Sequence, residues 1–160
     1  MRAVPAEVHD VAPALWLWRS EHPAWSPGLD WEPPVASTCV ESGGEVALLD
    51  PMAPPDEADE VWERLDARPP TLVVVLKPDH VRDVDVFVRC YGTRAFGPWL
   101  FWRNGIPETD LEPIEPGSVL PGGLNAIPDV EELPVGQGSS GVALPECGYA
   151  NTGPVTPPAV

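Results

Sequence analysis

Basic charge is scarce in this chain. Nine Lys and Arg stand against 25 Asp and Glu, for a formal net charge of -16. Such a field repels phosphate backbones and anionic lipid, so neither nucleic acid nor a membrane is an expected partner. Cysteine is also scarce. Cys39, Cys90 and Cys147 are odd in number and show no C-x-x-C spacing. That argues against a disulfide framework and for buried, reduced thiols in a cytoplasmic protein. No apolar run approaches the roughly 20 residues of a membrane span. The N-terminal residues lack the apolar core of a signal peptide. Neither a glycine-rich phosphate loop nor a G-x-S-x-G elbow occurs.

Proline, by contrast, is abundant, with 23 in 160 residues. Many connections must be stiff, and few segments can be long helices. Val11–Arg19 predicts a strand, with Trp16 and Trp18 two apart and so on one face. Residues 22–34 form a proline-rich loop whose Trp25 and Trp31 either join the core, as most of the seven tryptophans are expected to, or rim a pocket for an apolar ligand. Val35–Val40 and Val46–Leu49, joined by the turn chemistry of Glu41-Ser-Gly-Gly-Glu45, predict a β-hairpin that ends at Asp50-Pro51.

A helix is expected from Asp56 to about Arg68, with Ala58, Val61, Trp62 and Leu65 as its apolar stripe. Pro69-Pro70 stops it. Thr71–Leu76 is a continuous, mostly β-branched run, as in a strand covered on both faces. A second helix follows from Asp83, with Val84, Phe87, Val88 and Tyr91 as its stripe and Gly92 as its stop. Cys90, inside this helix, reads as buried. Thr93–Phe96 is a short strand, and Val119–Ile127 suits a hairpin around Gly122-Gly123. Beyond Pro134 the sequence is rich in Gly, Ser, Pro and Thr and predicts a flexible tail. The expected division is an α/β domain over residues 1–128 and a Pro/Gly-rich tail over 129–160.

Lys77-Pro-Asp-His-Val-Arg-Asp83 is the segment richest in chemistry. Carboxyl ends of strands in open α/β sheets are where ligands gather. The candidate pocket is therefore Asp50, Asp79, His80, Arg82 and Asp83. Asp79 or Asp83 can instead cap the second helix, and the cap is favoured for Asp83. A lone His80 is more often a hydrogen-bonded structural residue than a ligand. An ion pair from Arg82 to Asp50 or Asp83 is the expected source of positive charge.

The order hairpin, Asp at a strand end, helix, buried strand, polar loop, helix, strand resembles the N-terminal half of the metallo-β-lactamase superfamily. The likeness runs over residues 8–128, through Glu45-Val-Ala-Leu-Leu-Asp50-Pro51, Leu72–Asp83 and Pro121-Gly-Gly-Leu124. It implies a partial α/β half with a mixed sheet and two short helices. It also implies zinc held by an H-x-H-x-D-H motif after the buried strand. In that register Pro78 and His80 take the two histidine places, Arg82 the Asp, and Asp83 the last His. Only His80 matches. Shifting the register so that Asp79-His80 meets the Asp-His end puts Val75 and Lys77 at the histidines.

The chain has three histidines, none after His80, and a catalytic zinc needs about three protein ligands. The resemblance thus implies a hydrolase-family protein with a degenerate, metal-poor site, inactive or weakly active. Its cofactor is none, or zinc at His80, Asp50 and Asp83. If active, it would be a metal-dependent hydrolase. The alternatives are a non-enzymatic module for a small-molecule ligand or a protein partner, and a truncated or frame-shifted gene product. Half of such a fold leaves an apolar sheet face uncovered, which predicts self-association.

Overall fold

Two short sequences fix the layers of this molecule. In Val46-Ala-Leu-Leu49 and Leu72-Val-Val-Val75 every residue is apolar, so both faces of both strands must be covered. The computed structural model describes residues 6–99 and 105–127 and shows both coverings. On one face Val46, Leu48, Val73 and Val75 join a core with Trp16, Trp18, Val61, Leu65, Val84 and Phe87. On the other, Ala47, Leu72 and Val74 pack with Phe96 and Ile114. Period-2 alternation alone divides each strand between the two cores.

The strands are β1 (Glu7–Ala12), β2 (Leu15–Glu21), β3 (Pro34–Ser42), β4 (Glu45–Leu49), β5 (Leu72–Val74), β6 (Arg94–Gly97) and β7 (Glu112–Pro113). They form one mixed sheet in sequence order. β1 to β4 are antiparallel, and β4 to β7 run parallel. Helices α1 (Asp59–Ala67) and α2 (Val84–Tyr91) bury Val61, Leu65, Val84 and Phe87 in the first core. A small hairpin of β8 (Val119–Leu120) and β9 (Leu124–Asn125) places Leu120 and Leu124 on the second.

Most expected elements are present, with informative shifts. Val11–Arg19 is not one strand. A turn with Ala14 at φ 64° divides it into β1 and β2, and Trp16 and Trp18 stay on one face with ring centroids 5.5 Å apart. Helix α1 starts three residues later than Asp56, because the Ala58 N–H is used in a turn to the Pro55 carbonyl at 2.9 Å. Gly92 ends α2 in the left-handed conformation, its N–H on the Val88 carbonyl at 2.9 Å. Cys90 is exposed rather than buried. The stripe of α2 falls on Val84, Phe87, Val88 and Tyr91, and position 90 points away from it. Cys39 is buried in β3, which pushes its thiol pKa up to about 12. The expected tail over 129–160 lies outside the described residues.

Gly43 and Gly44 have φ of 55° and 84°, as a two-residue β3–β4 turn requires. The second hairpin docks against this turn at Gly122, whose carbonyl accepts the Ser42 hydroxyl at 2.7 Å. A Cβ on Gly122 would stand 2.5 Å from the Ser42 carbonyl oxygen. Gly122→Ala should therefore lower stability by about 1–3 kcal/mol in urea unfolding. Gly117→Ala separates clash from conformation, since Gly117 shares the positive φ (81°) but has open space around its Cβ. It should lose only about 1 kcal/mol. Equal losses would show that the close approach at Gly122 is unimportant.

Candidate functional site

The parallel strands β4, β5 and β6 carry their connecting loops to one end of the sheet. The loop after β4 is tied there from several sides. Asp50 N–H donates to the Val74 carbonyl at 2.8 Å, and Met52 N–H to the Ser37 hydroxyl at 2.8 Å. The buried Trp18 indole donates to the Met52 carbonyl at 3.1 Å. This loop is therefore a rigid platform for Asp50.

Asp50 uses both carboxylate oxygens. Oδ1 accepts the Leu76 N–H at 2.7 Å, and Oδ2 pairs with His80 Nδ1 at 2.8 Å. Only 14% of the Asp50 side chain and 29% of the His80 side chain are exposed. Facing a carboxylate, Nδ1 carries the imidazole proton, so Nε2 of neutral His80 is left as an acceptor. A carboxylate that orients an imidazole in this way is an acid–base arrangement.

Arg82 completes the cluster differently from expectation. It makes no ion pair with Asp50 or Asp83. Its Nη1 donates to two backbone carbonyls, Ala36 at 2.9 Å and Asp50 at 2.6 Å. Carbonyls converging from β3 and from the loop after β4 are the nearer acceptors. Burial lowers the Arg82 pKa, while the nearby Asp50, Asp79 and Asp83 carboxylates act to raise it. The guanidinium remains a cation at neutral pH.

Asp83 departs from expectation as well. It stands at the start of α2 but makes no side-chain cap. Its Oδ2 accepts the Ala53 N–H at 2.8 Å and helps fasten the loop after β4. Among the described residues three non-glycine positions have positive φ, and two of them, Asp50 (46°) and Arg82 (44°), are in this cluster. Strained backbone that persists marks a spot the surroundings over-determine.

Beside the cluster lies a cavity of about 430 Å³ lined by His22, Trp31, Val35, Asp79, His80 and Arg82. The placement of Trp31 agrees with its expected role at a pocket rim. Trp25 supports it from behind, its indole on the Trp31 carbonyl at 2.8 Å. His22 was not among the candidates. It stands edge-on to Trp31, with ring centroids 5.3 Å apart, and its N–H holds the Pro33 carbonyl at 2.9 Å. The only sequence signal for it was the proline-rich loop, whose ends β2 and β3 bring together. Burial lowers the His22 pKa, as do the nearby Arg82 and His80, while Asp83 acts to raise it.

The zinc that the resemblance implies can be tested against these donors. Among the described residues no three His, Cys, Asp or Glu side chains converge to hold a metal ion. Asp50 and His80 are together, but Asp83 is committed to Ala53 and a guanidinium stands beside them. Two donors next to a fixed cation do not fit a zinc centre, which takes at least three protein ligands.

Asp50→Ala should lower stability by about 1–3 kcal/mol, because it strips an acceptor from Leu76 and His80 at once. Asp50→Asn keeps an oxygen for Leu76 and tolerates the left-handed backbone, so its loss should be smaller. Equal urea midpoints for the two variants would remove Asp50 from the centre of the site. His22 gives a pH test. Its folded pKa lies below the ordinary 6.5. Its contribution is therefore complete above about pH 6.5 and is lost as pH falls through the lower folded value. The stability difference between wild type and His22→Gln should shrink on acidification from pH 8 to 5, and a constant difference would show that His22 does not titrate on unfolding.

No family model and no curated protein matches the sequence. Solved structures match in fold. A β-lactamase domain protein from Burkholderia ambifaria superposes with a TM-score of 0.53 at 14% identity, covering 76% of this chain and 47% of that one. The metallo-β-lactamase FIM-1 from Pseudomonas aeruginosa, in its mono-zinc form, gives a TM-score of 0.45 at 15% identity over 62% of this chain and 44% of that one. A metallo-β-lactamase from Erythrobacter litoralis gives 0.41 at 16%, over 62% and 42%. The chain thus spans less than half the length of each of these three. Over the part that it shares with the Burkholderia protein, this chain has a partial metallo-β-lactamase-like α/β fold, a mixed sheet with two helices.

Proposed function

We propose that this chain is a small-molecule-binding module on a metallo-β-lactamase fold, with little or no hydrolase activity. Its site is organised by Arg82 in place of a zinc ion. The observation that carries this reading is the seat of Arg82. Its guanidinium is fixed by the Ala36 and Asp50 carbonyls beside the Asp50–His80 pair. By resemblance, that is where a metal-binding Asp would be. A permanent cation there supplies the positive charge that would otherwise come from a metal.

The same residues account for weak or absent turnover. The cavity lining offers a proton acceptor in His80 and a cation in Arg82, but no Ser, Cys or Lys nucleophile. Among the described residues no donor set is placed to activate a water on zinc. Binding and orienting a ligand needs only the groups that are present.

A second reading is self-association through the sheet face under the β8–β9 hairpin. Leu76 and Ile127 on that side are 43% and 75% exposed. They surround an apolar cavity of about 250 Å³ that also takes in Leu49, Val74 and Ile114. Analytical ultracentrifugation decides this reading by mass alone.

Elemental analysis of the purified full chain should find zinc well below one per chain, and added zinc should leave the thermal melt unchanged. Arg82→Ala should lose about 2–3 kcal/mol, the worth of charged hydrogen bonds to two carbonyls. Zinc should not restore it, because Asp83 is engaged elsewhere. One tightly held zinc per chain, stabilising wild type or rescuing the variant, would turn the conclusion back to a metal-dependent hydrolase.

A further inference from the structure

Arg82 has an unused edge. Its Nη1 is occupied by the Ala36 and Asp50 carbonyls. Nε–H and Nη2–H, parallel on one side of the planar group, make no hydrogen bond or ion pair among the described residues. That side-on pair is the geometry with which arginine grips a carboxylate through two bonds.

The cavity that Arg82 lines also contains an unused anion. Three carboxylates stand near the guanidinium. Asp50 is occupied by Leu76 and His80, and Asp83 by Ala53. Asp79 is exposed, lines the cavity, and has no hydrogen bond or ion pair among the described residues. One uncommitted cation and one uncommitted anion thus face a single space of about 430 Å³, beside Trp31 and Val35. That volume suits a small metabolite.

The field of the whole chain narrows the choice. At a net charge of -16 the protein repels a free anion before it can reach Arg82. A ligand whose own charges cancel meets no such barrier and can still use both groups.

We propose that this cavity binds a small zwitterion of the amino-acid type. Its carboxylate lies on the Nε–Nη2 edge of Arg82 and its ammonium at Asp79. Its apolar or aromatic side group lies against Trp31 and Val35. The assignment rests on the metal-free reading of the same site and adds the ligand class to it.

The test is calorimetric titration of the full chain with three probes: L-phenylalanine, phenylacetate and phenethylamine. L-phenylalanine should bind about tenfold or more tightly than either half-ligand. Asp79→Asn alters an exposed side chain that makes no hydrogen bond or ion pair among the described residues, although its charge also acts on Arg82. It should bring L-phenylalanine down to the level of phenylacetate. Arg82→Lys keeps the charge but removes the fork, and should weaken L-phenylalanine and phenylacetate by similar factors. Phenylacetate or phenethylamine binding as tightly as L-phenylalanine overturns the zwitterion. So does the absence of saturable binding by all three at millimolar concentration. Those results leave the metal-free reading standing, whereas stoichiometric zinc in the same preparation overturns both.

Discussion

A carboxylate that is mostly withdrawn from water must find a partner for each oxygen, or burial costs more than the fold can offset. Asp50 meets that demand with Leu76 N–H from the loop after β5 and with His80 Nδ1. Its backbone carbonyl takes a third partner, Arg82. One residue at the end of β4 therefore sets the path of the segment between β5 and α2. Asp83 returns the favour by accepting the Ala53 N–H, so the two loops lock each other. The cavity wall formed by His80 and Arg82 inherits its shape from this exchange.

The arrangement draws several loops onto one guanidinium. A zinc ion draws several loops together through its ligands. Here a guanidinium and backbone carbonyls do comparable work, with acceptors supplied by β3 and by the loop after β4. The left-handed backbone at Asp50 and Arg82 is held by those bonds.

Much of the fold was legible from periodicity and punctuation. The stripe of α2 and the stop at Gly92 have local causes and appear in place, whereas the apolar run Thr71–Leu76 gives a strand only over Leu72–Val74 and leaves Leu76 43% exposed. The errors also have physical reasons. Val11–Arg19 reads as one strand from its apolar and aromatic residues, yet Ala14 adopts a positive φ and turns the chain. Asp83 looked like a cap because it stands at the right position, but a tertiary acceptor role won. Arg82 was given a carboxylate partner, since backbone carbonyls brought together by the sheet leave no trace in a linear motif. His22 leaves no such trace either, since β2 and β3 bring it to the cavity. Trp31 was found because an indole in a proline-rich loop already suggests a rim.

The meeting of Ser42 with Gly122 joins residues 80 positions apart. A contact of that span rewards the chain only after a long loop has been closed, so it belongs to the end of folding. The β3–β4 turn must exist before anything can dock on it. Among the described elements, the β8–β9 hairpin thus docks after the β3–β4 turn has formed. Its hold is a two-pair ladder, the Ser42–Gly122 contact and the packing of Leu120 and Leu124 on the second core, a small set for native-state fluctuations to open. Each such opening bares Leu72, Val74 and Phe96, and those are the moments when the chain is most vulnerable to a protease or to another unfolded neighbour.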